Sequence, residues 1–157
     1  MEQLTDSINM RGDVTIKVWD ADRPDIIKRQ FEIKNLIVLT GKYHIAARLA
    51  NMTNDGAYIS HMAIGTGTNS PSLTDTALYT QLSNRVPVIL DHVAGTNYMT
   101  ASAVFLGSTY QSNAITEAGL FTDLTNTTNS MVCRTSFGAF SIGSSEIIGI
   151  SWKITII

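Results

Sequence analysis

The 157-residue chain predicts a mainly β protein, an antiparallel β-sandwich with one α-helix over about residues 42–51. Two patterns carry that expectation. Segments of alternating apolar and polar residues recur along the chain with polar turns between them, whereas one stretch alone has convincing helical spacing. The length fits one ordinary domain with a core of its own. The expected organisation is an N-terminal arm, residues 1–12, followed by a single sandwich domain, residues 13–157.

Residues 1–12 show no period. Residues 13–20 (DVTIKVWD) set Val14, Ile16 and Val18 on one face and Thr15, Lys17 and Trp19 on the other, as a half-buried strand does. A turn around Pro24 leads to residues 26–34, where Ile27, Phe31 and Ile33 face in and Lys28, Gln30, Glu32 and Lys34 face out. These two segments form a hairpin. Residues 35–39 continue as strand, and Thr40 is placed to cap the helix, in which Ile45 and Leu49 share an apolar face. Further strands are expected at 58–64, 85–93, 97–106, 114–122, 131–140 and 146–157, with one helical turn near 77–82. The last strand alternates Ile148, Ile150, Trp152, Ile154 and Ile156 along one face.

Charge is sparse and uneven. Charged residues make up 15% of the chain, against about 25% in an average domain. Residues 11–34 hold 11 of the 24 charged side chains and residues 54–157 hold nine, while Ser, Thr and Asn together fill 43 positions. A surface so poor in charge predicts contact with other chains. Net charge −2 gives no electrostatic basis for nucleic-acid binding. No apolar run approaches the roughly 20 residues of a membrane helix, and the opening MEQLTDSINMRGD lacks the features of a signal peptide, so a soluble protein is expected.

Candidate chemistry is thin. His44, His61 and His92 have no metal-ligand spacing, and the lone Cys133 excludes an internal disulfide. Asp20, Asp22 and Asp25 crowd one turn together with Arg23 and read as solvated. Gly65-Thr66-Gly67-Thr68 follows a strand but lacks the remaining residues of a dinucleotide or P-loop motif; its glycines are expected to supply positive φ. Two glycosylation sequons, Asn51-Met52-Thr53 and Asn126-Thr127-Thr128, read as chance matches in a chain rich in Asn and Thr. No catalytic residue, metal or cofactor is assigned.

Glu117, in Ile115-Thr-Glu-Ala-Gly-Leu-Phe121, is the informative ionisable residue, because an unpaired carboxylate among apolar neighbours costs several kcal/mol. A hairpin centred between Thr125 and Asn126 sets Glu117 opposite Arg134, Ala118 opposite Cys133 and Leu120 opposite Met131. The expectation is a structural ion pair between Glu117 and Arg134.

Several segments, in order, resemble small structural proteins of tailed bacteriophages. They are Asn35-Leu-Ile-Val-Leu-Thr-Gly41 running into His44-Ile45-Ala46, then Ile59-Ser-His-Met-Ala-Ile-Gly65-Thr-Gly-Thr, then Leu73-Thr-Asp-Thr-Ala-Leu78. The box at 115–121, Met131-Val-Cys-Arg-Thr-Ser-Phe137 and Ile150-Ser-Trp-Lys-Ile-Thr-Ile156 are similar to the same group, so the resemblance covers about residues 13–157. It implies a non-enzymatic virion protein of the tail, baseplate or fibre, assembled in the host cytoplasm. Its partners would be other virion proteins and other copies of itself, first of all as a trimer, with no nucleic acid and no membrane. A capsid cement or decoration protein is one alternative. Another is a glycan-receptor module using Tyr58, Tyr79, Tyr98 or Tyr110. The apolar C-terminal strand, with an edge to cover, predicts association as well.

Overall fold

A computed structural model describes residues 9–50, 58–125 and 129–157. Its elements are β1 (Met10–Asp20), β2 (Ile27–Ile37), α1 (Leu39–Leu49), β3 (His61–Gly65), β4 (Val86–Pro87), β5 (Ile89–Asp91), β6 (Tyr98–Leu106), α2 (Gly107–Tyr110), β7 (Ile115–Phe121), β8 (Met131–Phe140) and β9 (Glu146–Ile156). The protein is mainly β. The strands form one antiparallel nine-stranded sheet, ordered β4-β3-β7-β8-β2-β1-β9-β6-β5 and nearly barrel-shaped.

Two strands turn the corners. β2 pairs with β1 through most of its length, and its last residues, Leu36 and Ile37, then cross to pair with Arg134 and Cys133 of β8. At the other corner β4 and β5 are separated by Val88 alone, yet they form opposite ends of the sheet order. Residues 86–91 therefore bridge the two ends, which is how one sheet folds into two facing halves. Between the halves, Val14, Ile16, Val18, Ile148, Ile150 and Trp152 pack against Met62, Ile64, Ala118, Leu120 and Cys133.

The alternation in β1 and β9 gives what it predicts, with the even-numbered residues Val14 to Val18 and Ile148 to Ile154 buried. Several details differ from the sequence reading. Ile27, expected to face in, is half-exposed, because a register shift between Val18 and Trp19 sets it beside Trp19 on the outer face. The helix begins at Leu39, with Val38 at its N-cap and no side-chain capping bond, so Thr40 lies inside it. Its buried residues are Gly41 and Ala47, while Leu49 is 84% exposed. Met10, Arg11 and Gly12 belong to β1 and pair with Ile156, Thr155 and Ile154, so that end of the expected arm is strand; residues 1–8 lie outside the described residues. No helical turn forms at 77–82, where the backbone bends instead, and the short α2 was not anticipated. Lastly, β9 lies between β1 and β6 and is paired along both edges. The exposed-edge argument for association fails there, because the chain covers that strand itself.

Candidate functional site

β7 is buried along its entire length. Ala118 and Leu120 face the barrel interior, whereas Glu117 and Phe121 face outward beneath the loop between β3 and β4. Glu117 is fully buried, and its carboxylate accepts five hydrogen bonds. Gly67 N–H (2.9 Å) and Thr80 N–H (2.8 Å) donate to Oε1, and Tyr79 N–H (3.1 Å) donates to Oε2. Arg134 donates to Oε2 through Nε at 3.0 Å and Nη2 at 2.8 Å.

Arg134 is equally occupied. Nη1 reaches Asp75 Oδ2 at 2.9 Å, Nη2 reaches the Asn69 carbonyl at 2.9 Å, and the guanidinium lies 4.6 Å from the centre of the Tyr79 ring. The pair thus ties five points of the loop, Gly67, Asn69, Asp75, Tyr79 and Thr80, to the outer face of the sheet. A buried carboxylate whose acceptor positions are all filled serves as a hub that fixes backbone.

The hairpin register differs from the sequence expectation. Arg134 opposes Gly119, Cys133 opposes Leu120 and Glu117 opposes Ser136. The offset is two residues, and because side chains alternate with period two, both charges stay on one face as diagonal neighbours. A bulge between Leu120 and Phe121 contributes to the offset. The turn itself is held from elsewhere in the chain. Buried Arg85 sends Nη1 to Asp123 Oδ1 (2.6 Å), the Thr125 carbonyl (2.6 Å) and Ser130 Oγ (2.9 Å), and its guanidinium stacks 3.5 Å from the Phe121 ring centre.

The Gly-Thr-Gly-Thr segment receives an anion, but it is the protein's own Glu117. A Cβ on Gly67 would stand 2.5 Å from both Glu117 Oε1 and Tyr79 Cβ, so the glycine permits close approach. Positive φ, the reason expected from sequence, applies to neither Gly65 nor Gly67.

The other singled-out residues are dispersed. Asp20 pairs with Arg23 and Lys28 in its turn. Cys133 is buried, and burial pushes its thiol pKa up. His61 Nδ1 contacts Ser60 Oγ at 2.8 Å, and among the described residues no three His, Cys, Asp or Glu gather as a metal site. Of the four tyrosines, Tyr110 packs edge-on against Phe105 and Tyr79 lies under Arg134, while Tyr58 and Tyr98 line a cavity beside α1. The two sequons fall outside the described residues.

The outer face of the other half carries a feature that no single segment reveals. Direct cross-strand pairing sets Ile27, Trp19, Ile147 and Leu106 in one row across β2, β1, β9 and β6. In the next row Val104 flanks Gly149, over which the Trp19 ring lies. Ile27, Val104 and Leu106 are about half exposed, at 47%, 53% and 52%. Further along the same face the rows turn polar, through Thr15-Ser151-Ser102 to Asp13-Lys153-Thr100.

No protein-family model matches this chain, and no curated protein or solved structure matches it.

Sequence reasoning missed Arg85, whose partners Asp123, Thr125 and Ser130 in the hairpin lie 38 to 45 positions away. The available signal was its position. An arginine between polar Asn84 and apolar Val86-Pro87-Val88, in a stretch nearly without charge, has few carboxylates within reach.

Proposed function

We propose that this protein is a non-enzymatic structural component of a tailed-phage virion, of the tail, baseplate or fibre apparatus, acting through protein–protein contacts. The observation that carries the reading is the apolar row Ile27-Trp19-Ile147-Leu106, lying on the outside of the sheet with Val104 beside it. A monomer gains nothing from exposing aligned large apolar side chains on four neighbouring strands, whereas an assembling subunit uses such a patch as the core of an interface. The charge distribution favours the same reading. Of the sparse charges in residues 54–157, Arg85, Glu117 and Arg134 are buried and the Asp75 side chain is 8% exposed, which thins the surface charge further. The clamped loop would then present a fixed shape to a neighbour, which lowers the entropy cost of association.

Labelled antibody against the protein, imaged on purified phage particles by electron microscopy, tests the proposal. Label at the tail, baseplate or fibres is the expected result. Particles lacking the protein, or label confined to the capsid, would overturn it, the second outcome in favour of a decoration role.

A further inference from the structure

α1 is anchored at one end and stands off at the other. Near its start Gly41 sits against the Val132 backbone so closely that no side chain fits between them. Toward its end the apolar stripe does not pack into the core, for Ile45 is half-buried and Leu49 is exposed. Beneath this stripe lies a cavity of about 480 Å³, walled by Ile45 and Leu49 of α1, Met99 of β6, and Ile154 and Ile156 of β9. That volume is in the range of ordinary small-molecule sites, roughly 300–1,000 Å³.

Among the described residues the lining carries one permanent charge, that of Arg48. The ionisable side chains are Arg48, His44 and His92, with the phenols of Tyr58 and Tyr98; no carboxylate lines the cavity among the described residues. The Arg48 guanidinium lies 5.9 Å from the Tyr58 ring centre at the exposed end of the helix. His92 Nδ1 donates to the Tyr98 carbonyl at 2.8 Å, which fixes that ring beside the cavity. An apolar chamber with a permanent cation on its rim complements a molecule with a hydrocarbon tail and an anionic head.

We propose that this cavity binds a single-chain anionic amphiphile, of the fatty acid class, with its tail between α1 and the β6–β9 wall and its head group at Arg48. The inference does not depend on the virion role. It also accounts for the exposed Leu49, because the tail would cover the stripe that the core does not.

Calorimetric titration of the full chain with dodecanoate, below its micelle concentration, tests the proposal. Saturable one-to-one binding is expected. Each methylene buried strengthens binding about fourfold, so decanoate, two methylenes shorter, should bind roughly fifteenfold more weakly. Dodecyltrimethylammonium, with the same tail and the opposite head, should bind at least about tenfold more weakly, and Arg48→Glu should reverse that preference. Arg48 is exposed, so this variant retains the fold. Ile45→Trp, which narrows the chamber at its α1 wall, should weaken binding of both. Absence of saturable dodecanoate binding, an unchanged head-group preference in R48E, or undiminished binding in I45W would each overturn the proposal.

Discussion

Arg134 reaches Glu117 diagonally across the β7–β8 pair and places two hydrogen bonds on a single carboxylate oxygen, Oε2, at 2.8 and 3.0 Å. The other oxygen is left to the backbone N–H groups of Gly67 and Thr80. One carboxylate thereby satisfies a buried arginine and an otherwise irregular loop together. Such an arrangement is costly to break from either side: without Arg134 the buried Glu117 keeps only backbone donors, and without Glu117 the buried Arg134 keeps Asp75 but loses two hydrogen bonds.

Arg134→Leu is therefore expected to lower stability by about 3–5 kcal/mol in urea unfolding at neutral pH. Glu117→Gln should cost about the same, because an amide offers an NH₂ group to backbone donors that need an acceptor. The double variant should lose less than the sum of the two. Strictly additive losses would mean that the pair is not coupled.

Gly67→Ala should be destabilising by about 1–3 kcal/mol through overpacking against Glu117 and Tyr79. Limited proteolysis should show faster cutting within residues 66–81. Gly138→Ala serves as the control, since a Cβ there meets nothing within 4 Å and stability should stay within about 0.5 kcal/mol.

Glu146 gives the acid limb of the stability profile. A hydrogen bond from Lys28 at 2.6 Å, with that from Gly143 N–H and the charge of Arg29, holds its pKa below the ordinary carboxylate value. A lowered folded-state pKa contributes stability that is fully present above the unfolded value, about 4.3, and is lost as pH falls through the folded value. Melting temperature should accordingly drop between pH 5 and about pH 3, and Glu146→Gln should flatten that drop while lowering stability at pH 7 by about 1 kcal/mol. Asp13 is also held low, chiefly by its Lys34 hydrogen bond, so some acid dependence should survive in the variant.

Leu106→Lys and Ile147→Lys probe the exterior row. Both side chains point away from the core, so monomer stability should change by no more than about 0.5–1 kcal/mol. Incorporation into particles should fall at least tenfold, measured by quantitative mass spectrometry of purified virions. Normal incorporation would remove the row from the interface.

The sequence by itself determined the faces of the regular strands. Val14-Ile16-Val18 and Ile148-Ile150-Trp152-Ile154 alternate with period two, and that pattern is local, so the buried side can be read without knowing the partner strand. It also marked Glu117 as a residue in need of a cation, because a carboxylate among apolar neighbours is costly wherever the chain goes. Tertiary structure alone decided the rest. β9 owes its central place to pairing with both β1 and β6, and the hairpin register depends on a bulge and on Arg85 held across 38 to 45 positions. The loop over Glu117 has no period to read, since its conformation is set by backbone N–H groups donating to one distant carboxylate. Backbone donors are the same in every residue, so a contact made through them leaves little trace in the identity of the side chains.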